Sequence, residues 1–329
     1  MTQGFWKNLK KPIFVLAPMA NVTDAAFRRI FAKYGKPDVI WTEFVSADGL
    51  VLAHEEGKKK LLRDLLYSEA ERPIVAQFFT SNPENMKKAA ALARELGFDG
   101  IDINMGCPDK SIEKQGAGAA LIKNPKRARE VLRAAIEGAG DLPVSVKTRI
   151  GYNKIELETW LPELLAENPA AITIHARTRK EMSKVPAQWE WVKRAVEIRN
   201  EMKSETFILG NGDVFDLEDA HKKVEATGAD GAMLGRAIFG NPYVFNKEVK
   251  MNDLPINDRL TIMLEHTKLF DELLGDIKSF AIMKKHYKAY VNGFSGASEL
   301  RAELMNTNTY KEVEDRTHYF LKEKGIDIL

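Results

Sequence analysis

Residues 100–125 read GIDINMGCPDKSIEKQGAGAALIKNP, and the fold can be predicted by working outward from this stretch. It opens with the alternation Ile-Asp-Ile-Asn at residues 101–104, a pattern that predicts a short strand. The next residues, Gly106-Cys107-Pro108, cannot continue a regular helix or strand and therefore predict a turn. Cys107 is the only cysteine in the chain, and lysines and glycines follow it. A thiol in such a basic, glycine-containing loop is placed to take part in chemistry.

Strand-like apolar runs alternate with helical patterns on both sides of this stretch. The runs lie at residues 13–19, 39–44, 73–79, 143–149, 171–177, 207–213 and 228–236. Helical patterns separate them, for example at residues 24–34 and 82–96, and a glycine ends each of these two. Eight strand–helix units predict an α/β fold, a closed (β/α)8 TIM barrel.

A doubly wound open sheet is the alternative to a barrel. That fold would place a glycine-rich dinucleotide-binding turn after the first strand. This chain has Ala17-Pro18-Met19-Ala20 there instead, so we favour the barrel.

The C-terminal part of the chain has a different pattern, with no convincing strand from about Leu254 onward. Helical spacing of apolar residues predicts helices at residues 260–274 and 280–291, and shorter helices begin at Ser298 and Thr309. The pair Thr309 and Glu312 has capping-box spacing. We therefore predict two domains, a barrel at residues 1–250 and a small α-helical domain at residues 251–329.

Composition limits the class of protein. The chain has 329 residues and a formal net charge of +2, so a nucleic-acid partner would need a local basic patch. The tail offers one such cluster, in Lys278, Lys284, Lys285, His286 and Lys288. One cysteine excludes an internal disulfide and a metal site made of cysteines alone, which fits a reducing compartment.

The N-terminal apolar run resembles a signal peptide only superficially. Lysines precede residues 13–17, but Pro18, Asn21 and Asp24 interrupt the apolar run early. No stretch approaches the roughly 18 apolar residues of a membrane span. We expect a soluble cytoplasmic protein with no membrane association, no metal site and no obligate protein partner.

Candidate site residues, most of them polar, recur at the ends of the predicted strands, where a barrel of this type places its functional groups. They are Pro18 and Met19 after the first strand, Gln77 in the third, Asn104 and Cys107 after the fourth, Lys147 and Arg149 in the fifth, His175 and Arg177 in the sixth, Asn211, Gly212 and Asp213 in the seventh, and Gly235 and Arg236 after the eighth. We expect these residues to converge on one mouth of the barrel.

The types of these residues favour FMN as a ligand. Residues 211–213 and 235–236 supply backbone N–H groups and a guanidinium where this fold usually binds phosphate, and we expect a helix N-terminus at Asn241-Pro242 to help. Gln77, Lys147 and His175 could hydrogen-bond a planar polar ring. A lysine beside a flavin would stabilise the negative charge of its reduced form.

Cys107 then gains a role as an acid, because a thiol can give a proton to a carbon that has just accepted a hydride. Ordinary explanations compete with this one. A lone cysteine is usually a small buried apolar residue, and His175 follows Ile174 as a core histidine would. Only the ordered set of strand-end residues favours a functional interpretation.

The same residues resemble a known family, the tRNA-dihydrouridine synthases. The similar segments are 17–19, 23–24, 76–77, 104–108, 116–119, 146–149, 175–179, 210–213 and 235–237, and in the tail 283–287 and 299–301. The combination of Asn-x-Gly-Cys-Pro at 104–108 with His-Ala-Arg-Thr-Arg at 175–179 is the specific part. Related flavin barrels such as dihydroorotate dehydrogenases are not expected to share both.

The resemblance implies a reaction. NADPH reduces FMN, hydride passes to C6 of a uracil ring in tRNA, and Cys107 protonates C5. It also implies roles by position. FMN would be held by Pro18, Met19, Ala20, Gln77, Lys147, His175, Asn211, Gly212, Asp213, Gly235 and Arg236. The RNA would be contacted by Asn104, Arg177, Arg179, Lys284 and Lys285, and the helical tail would be an RNA-binding domain.

The chain departs from the resemblance at residues 180–187, KEMSKVPA, where many members have a loop with glycine and tyrosine. The tail is also nearly neutral, with 12 basic and 13 acidic residues from Lys250 onward. Two other functions therefore stay open: a flavin barrel that reduces a free pyrimidine or enone, and a non-catalytic RNA-binding protein.

Overall fold

Eight parallel strands form one sheet in this protein, whose computed structural model describes residues 3–326. The predicted domain ends at residues 1–2 and 327–329 lie outside the described residues. The strands are β1 Ile13–Leu16, β2 Ile40–Ser46, β3 Ile74–Phe79, β4 Gly100–Met105, β5 Val144–Arg149, β6 Ala171–His175, β7 Phe207–Asn211 and β8 Gly231–Leu234.

The sheet is closed. Its strand order is β1-β8-β7-β6-β5-β4-β3-β2, and every pair is parallel. The two ends of this order meet where the N–H of Leu16 donates to the carbonyl of Val39 at 3.3 Å and the N–H of Asp38 donates to the carbonyl of Phe14 at 2.9 Å. The predicted (β/α)8 barrel is therefore confirmed, and the open doubly wound sheet is wrong.

Helices alternate with the strands and continue after them. They are α1 Ala25–Tyr34, α2 Ala47–Leu52, α3 Glu55–Asp64, α4 Pro83–Glu95, α5 Lys110–Glu113, α6 Pro125–Ala139, α7 Leu157–Leu165, α8 Glu190–Glu201, α9 Leu217–Thr227, α10 Ile256–Leu274, α11 Met283–Tyr290, α12 Ala297–Leu304 and α13 Tyr310–Glu323. Helix α4 begins where the side chain of Asn82 accepts the N–H of Glu84, with Pro83 in the first turn. None of the helices within residues 3–326 combines the length and apolarity needed to cross a bilayer.

Alternation along β4 separates apolar from polar side chains. Ile101 and Ile103 point to one face of the strand, and Asp102 and Asn104 to the other. In the register of the sheet, Asp102 lies beside Gln77 on β3 and Ser145 on β5. Polar side chains from three neighbouring strands therefore share one face of the sheet.

The chain divides into two compact units. Within the described residues, the first comprises residues 3–19, 38–67 and 72–236, and the second comprises residues 20–37, 68–71 and 237–326. The predicted functional division at residue 250 stays a prediction. Helix α1, which sequence analysis assigned to the barrel, packs against α10 within the second unit.

The second unit has its own apolar core. The predicted helical faces are confirmed, because Leu260 and Met263 of α10 and Met283 and Tyr287 of α11 are buried in one cluster. At the start of α13, Thr309 accepts the N–H of Glu312 at 3.3 Å, as a capping box requires. The carboxylate of Glu312, however, accepts the N–H of residue 308 rather than that of Thr309.

The helix expected to begin at Asn241-Pro242 is absent. Turns occupy this segment, and the next α-helix in the described chain begins at Ile256. Gly240 adopts a φ of +66°, outside the right-handed helical region, and its Cβ position is filled by the backbone of Ala289. The expected contribution of a helix N-terminus to a phosphate site is therefore wrong.

Candidate active site

The turn after β4 is built by the side chain of Asn104. Its Oδ1 accepts the N–H of Gly106 at 3.1 Å and the N–H of Cys107 at 2.9 Å. A short amide side chain reaches backbone N–H groups two and three residues ahead, which explains the spacing Asn-x-Gly-Cys. The carbonyl of Cys107 accepts the N–H of Ala119 at 2.9 Å, so both backbone groups of Cys107 are held.

The glycines after the turn have a steric role. Gly118 adopts a φ of +60°, and a Cβ there would lie 2.7 Å from the carbonyl oxygen of Cys107. Only glycine combines that conformation with such a close approach. Cys107 is half-buried and packs against an apolar cluster that contains Phe79, Ile112 and Ala117.

The thiol of Cys107 is kept protonated at neutral pH. Burial raises its pKa, and the negative charge of Asp109 acts in the same direction. A hydrogen bond from the backbone of Asp109 and the charges of Arg149 and Lys147 oppose the shift without cancelling it. A neutral thiol suits a proton donor better than a nucleophile.

A row of buried polar side chains crosses three strands beside this turn. Gln77 Nε2 donates to Asp102 Oδ2 at 2.6 Å, and Ser145 Oγ donates to Asp102 Oδ1 at 2.6 Å. Asn104 Nδ2 donates to Gln77 Oε1 at 3.2 Å. Burial raises the pKa of Asp102 to about 6. Sequence analysis named Gln77 and Asn104 but missed Asp102 and Ser145; the alternation at residues 101–104 was the available signal.

Lys147 extends from β5 to β7. Its Nζ donates to Asn211 Oδ1 at 3.3 Å, and Asn211 Nδ2 donates to the carbonyl of Met233 on β8 at 2.8 Å. Burial and the charge of Arg149 lower the pKa of Lys147 to about 8. The lysine thus carries its charge at neutral pH on a half-buried side chain, as a group that stabilises an anion must.

His175 lies among positive charges. Burial lowers its pKa well below the ordinary value, and so do the charges of four basic residues on three strands or their loops, Arg149, Lys147, Arg177 and Arg236. The imidazole is therefore neutral at pH 7, and the charges around it favour an anion at this end of the barrel. Sequence analysis predicted Lys147, His175 and Arg236 as neighbours, and the structure brings them together.

Asp213 bridges two of these arginines. Its carboxylate forms ion pairs with Arg177 and Arg236 and accepts the N–H of Ala187 at 2.8 Å. Arg177 is buried, and its Nε donates to the carbonyl of Val185 at 2.6 Å. The side chain of Arg236 is 65% exposed, so of the two arginines it is the one open to a ligand.

The glycines beside Asp213 and Arg236 differ. Gly212 has a φ of +118°, and a Cβ there would lie 2.9 Å from the Cβ of Ala187 and 3.2 Å from His175 Cδ2. At Gly235 a Cβ would meet nothing closer than Ala17, at 3.8 Å. Gly212 is required by packing, whereas Gly235 leaves open space next to Arg236.

Arg179 joins two loops. Its guanidinium forms a bidentate ion pair with Glu113 of α5 and lies 5.4 Å from the ring centre of Tyr152. Glu113 follows Cys107 in the chain, and Arg179 follows His175. The pair therefore links the loop after β4 to the loop after β6.

Two buried arginines of the barrel, Arg149 and Arg177, donate hydrogen bonds to the loop at residues 180–187. Arg149 Nη1 donates to the carbonyls of Thr178 and Met182, each at 3.2 Å, and Arg177 contacts the carbonyl of Val185. Arg149 Nε also donates to the carbonyl of Gly106 at 2.7 Å. Arg149 was expected at a strand end but without a role; its position two residues after Lys147 on β5 was the signal.

The remaining predicted residues are placed as follows. Pro18 is buried and Met19 half-buried at the end of β1. Ala20, Lys284 and Lys285 belong to the second unit. Ala20 is exposed, Lys284 is half-buried, and Lys285 Nζ donates to the carbonyl of Asn21 at 2.6 Å. Their roles stay predictions.

Solved structures share the fold. Histamine dehydrogenase from Rhizobium sp. 4-9 matches with a TM-score of 0.54 and 15% identity, over 78% of this chain and 48% of that one. The 6-hydroxypseudooxynicotine amine oxidase from Pseudomonas geniculata N1 matches with a TM-score of 0.53 and 12% identity, over 80% and 53% of the two chains. At these identities the likeness concerns the fold alone.

Sequence comparisons are more specific. The family model described as Dihydrouridine synthase (Dus) matches residues 15–324. A probable tRNA-dihydrouridine synthase 2 from Bacillus subtilis (strain 168) is 42% identical over 315 residues, 95% of this chain and 95% of that protein. A probable tRNA-dihydrouridine synthase from Staphylococcus aureus (strain MRSA252) is 40% identical over 314 residues, 95% and 94% of the two chains. The chain is thus an enzyme of the dihydrouridine synthase family.

Proposed function

We propose that this enzyme reduces the C5=C6 bond of uridines in tRNA to 5,6-dihydrouridine, with FMN as cofactor, NADPH as reductant and Cys107 as proton donor. The substrate is suggested by the names of the relatives at 42% and 40% identity. The observation that supports the acid role is the turn in which Asn104 and Arg149 fix the backbone around a protonated, half-buried thiol.

The residues present fit FMN. A planar ring with donor and acceptor edges needs groups such as Gln77, Lys147, His175 and Asn211, and a phosphate needs positive charge and open space. The exposed guanidinium of Arg236 beside the open position at Gly235 provides both. Further residues of the predicted FMN site are Pro18, Met19, Ala20, Gly212 and Asp213. Bound FMN would supply the hydride, and NADPH would then reduce the flavin again.

Cys107 completes the addition. The C5=C6 bond gains a hydride at C6 and a proton at C5, so the thiol becomes a thiolate and is reprotonated from solvent. Lys147 and Arg149 lie close enough to act on the charge of Cys107 and would stabilise that thiolate. The same charges would stabilise negative charge that develops on the ring system.

The target base must leave its stack to enter a barrel mouth, at a cost of a few kcal/mol that a looped-out base avoids. Arg177 and Arg179 form ion pairs with Asp213 and Glu113, respectively. We therefore assign them first to positioning the loop after β6, and contact with the uridine would require an exchange of partners. Asn104 is assigned to the turn, and Lys284 and Lys285 to the RNA backbone, whose binding would depend on salt.

The test is the dihydrouridine content of RNA. Unmodified tRNA transcript, and tRNA from cells that lack dihydrouridine, are incubated with the enzyme, FMN and NADPH, digested, and analysed by mass spectrometry. We expect uridine to gain the mass of two hydrogens. The variant Cys107→Ala should retain FMN and lose nearly all turnover; full activity would contradict the acid role.

Two outcomes would contradict the substrate assignment. Oxidation of NADPH without product on either RNA would favour a reductase of a free pyrimidine or enone. RNA binding that survives loss of both flavin and Cys107, with no NADPH oxidation, would favour a non-catalytic RNA-binding protein.

A further inference from the structure

We propose that Asp102 is a positioning residue, whose acceptor-only carboxylate fixes the direction of a hydrogen-bond chain that runs through Gln77 and Asn104 to the backbone of Cys107. The geometry is independent of the substrate. Its catalytic meaning rests on the proposed function, in which Cys107 is the proton donor.

The chain of hydrogen bonds has one possible direction. An ionised carboxylate only accepts hydrogen bonds, so Gln77 must turn its NH2 group toward Asp102, 2.6 Å away. The carbonyl oxygen of Gln77 then faces Asn104, which must donate from its own NH2 group at 3.2 Å. The side-chain oxygen of Asn104 is then free to accept the N–H groups of Gly106 and Cys107.

A simple packing role does not explain the carboxylate. Asp102 is 1% exposed, and its two oxygens bond to neutral donors, Ser145 and Gln77. Lys147 acts on it through charge without a hydrogen bond to it. Burial of a carboxylate without a bonded cation is costly, whereas a neutral side chain could fill the same space. What a neutral apolar side chain cannot do is dictate how two amides are oriented.

The orientation of Asn104 decides the position of the thiol. If its NH2 group faced the turn, Asn104 would present donors to the N–H groups of Gly106 and Cys107. These groups are donors too, so their hydrogen bonds to Asn104 would be lost. The turn would then open, and Cys107 would lose its half-buried position. Asp102 thus acts at a distance, through two side chains, on the residue proposed as the acid.

The experiment uses the fact that Cys107 is the only thiol. We measure the alkylation rate of the full-length protein with iodoacetamide at pH 8. In Asp102→Leu nothing fixes the direction of the hydrogen-bond chain, and we expect the alkylation rate to rise about fivefold or more. Asn104→Ala should give the same rise, and the double variant Asp102→Leu/Asn104→Ala should give no further rise, because both changes break one chain.

The conservative variant separates direction from charge. In Asp102→Asn the new side chain can turn its oxygen to Gln77 and its NH2 group to Ser145, whose hydroxyl already lies 3.3 Å from the carbonyl of Ile101 and can donate there. We expect its alkylation rate to stay within twofold of the wild type. An equal rise in Asp102→Asn and Asp102→Leu would overturn the proposal, because charge would then be the cause.

A matched control tests for general loosening. Asp230, directly before β8, is another buried carboxylate of the barrel and is bonded to Lys11, Arg199 and the N–H of Ile208 on β7. Asp230→Leu should leave the alkylation rate within twofold; a fivefold rise would refute the proposal. If Asp102→Leu does not fold, Gln77→Met breaks the same chain, and an unchanged rate there refutes it equally. Alkylation needs neither flavin nor RNA, so these results stand even if the proposed reaction fails.

Discussion

Arg149 Nε lies 2.7 Å from the carbonyl oxygen of Gly106, so a guanidinium on β5 fixes the residue that precedes Cys107 at the end of β4. The same guanidinium holds the carbonyls of Thr178 and Met182 in the loop after β6. Burial lowers the pKa of Arg149 to about 10, which leaves it charged at neutral pH. One buried cation thus connects the candidate acid to the loop at residues 180–187.

Arg149→Met is expected to disturb both the fold and the site. The variant leaves the buried carbonyls of Gly106 and Thr178 and the part-buried carbonyl of Met182 without this donor. Each buried group left unsatisfied costs about 1–3 kcal/mol, so we expect a loss of at least about 2 kcal/mol in the free energy of unfolding. The alkylation rate of Cys107, corrected for its thiolate fraction from the pH dependence, should also rise, because the turn loses one of its two side-chain anchors. The correction is needed because the charge of Arg149 lowers the pKa of the thiol. Urea denaturation and thiol alkylation measure the two effects.

Arg194→Met is the matched control. Arg194 bonds three carboxylates, Glu158, Glu197 and Glu201, at the protein surface rather than buried carbonyls. Surface ion pairs contribute little, so we expect a loss below about 1 kcal/mol and an unchanged alkylation rate. Similar effects in the two variants would argue against a specific role for Arg149.

Arg236→Ala is expected to weaken FMN binding and leave the fold intact. The side chain is 65% exposed, and Asp213 keeps its second partner, the buried Arg177. Loss of one charge-assisted contact to phosphate should raise the dissociation constant for FMN about 10- to 100-fold. Quenching of flavin fluorescence on titration measures it. Lys222→Ala, which removes an exposed cation from α9, serves as the control, and equal flavin affinity in both variants would place the phosphate elsewhere.

Much of the barrel could be predicted because its signals are local. Apolar runs of strand length, separated by helical patterns, identified all eight strands, although β1 ends at Leu16 and β6 at His175, before the predicted ends. The rule that functional groups follow the strands selected Lys147, His175 and Asn211, which the structure brings together.

The parts that could not be predicted depend on distant partners. Asp102 bonds Ser145, 43 residues away, and only the register between β4 and β5 places them side by side. Arg149 reaches Gly106 over the same separation. The association of α1 with α10 likewise joins segments far apart in sequence, and turns follow Asn241, where a helix was expected.

Glu71→Gln should strongly destabilise the second unit. Arg28 and Glu71 are fully buried there, with Arg28 Nε 2.7 Å from Glu71 Oε2, and Ser68 donates to the other oxygen. A glutamine that keeps the bond to Ser68 must present its NH2 group to Arg28. Both groups are donors, so no hydrogen bond forms between them. Removing one partner of a buried ion pair costs about 3–5 kcal/mol, which urea denaturation would detect.

Removing both charges should cost far less. In Arg28→Met/Glu71→Leu both charges of the buried pair are gone, and apolar replacements of buried pairs are often neutral or stabilising. Arg29, whose Nε lies 3.9 Å from Glu71 Oε1, also loses this partner, but its side chain is 29% exposed. The double variant should therefore be more stable than Glu71→Gln alone. A loss below about 1 kcal/mol in Glu71→Gln would contradict this prediction, because such a small loss is typical of a solvent-exposed ion pair.

His286→Phe should reduce the acid sensitivity of the second unit. His286 is buried with its ring 4.8 Å from that of His266 and 5.3 Å from that of Phe27, and within residues 3–326 its two ring nitrogens have no hydrogen-bond partner. Burial, with further contributions from His266 and Lys285, lowers the pKa of His286 well below its ordinary value. Burial also lowers the pKa of His266 to about 3.

The sign follows from proton uptake. Below about pH 6.5 the unfolded chain binds a proton at each histidine and the folded chain does not, so the free energy of unfolding falls as the pH falls. Between pH 7 and pH 5 this amounts to about 2 kcal/mol for each such histidine. Phenylalanine suits the site, because the ring of Phe239 already stacks on His286 at an interplanar angle of 24°.

Urea denaturation at pH 7 and pH 5 provides the measurement. Every other titrating group is common to the wild type and the variant, so the difference between their losses isolates His286. We expect the variant to lose about 2 kcal/mol less than the wild type on acidification. Equal losses would mean that the folded protein accepts a proton at His286 in this range, which would require a counter-charge or water to reach a ring enclosed by Phe27, Phe239 and His266.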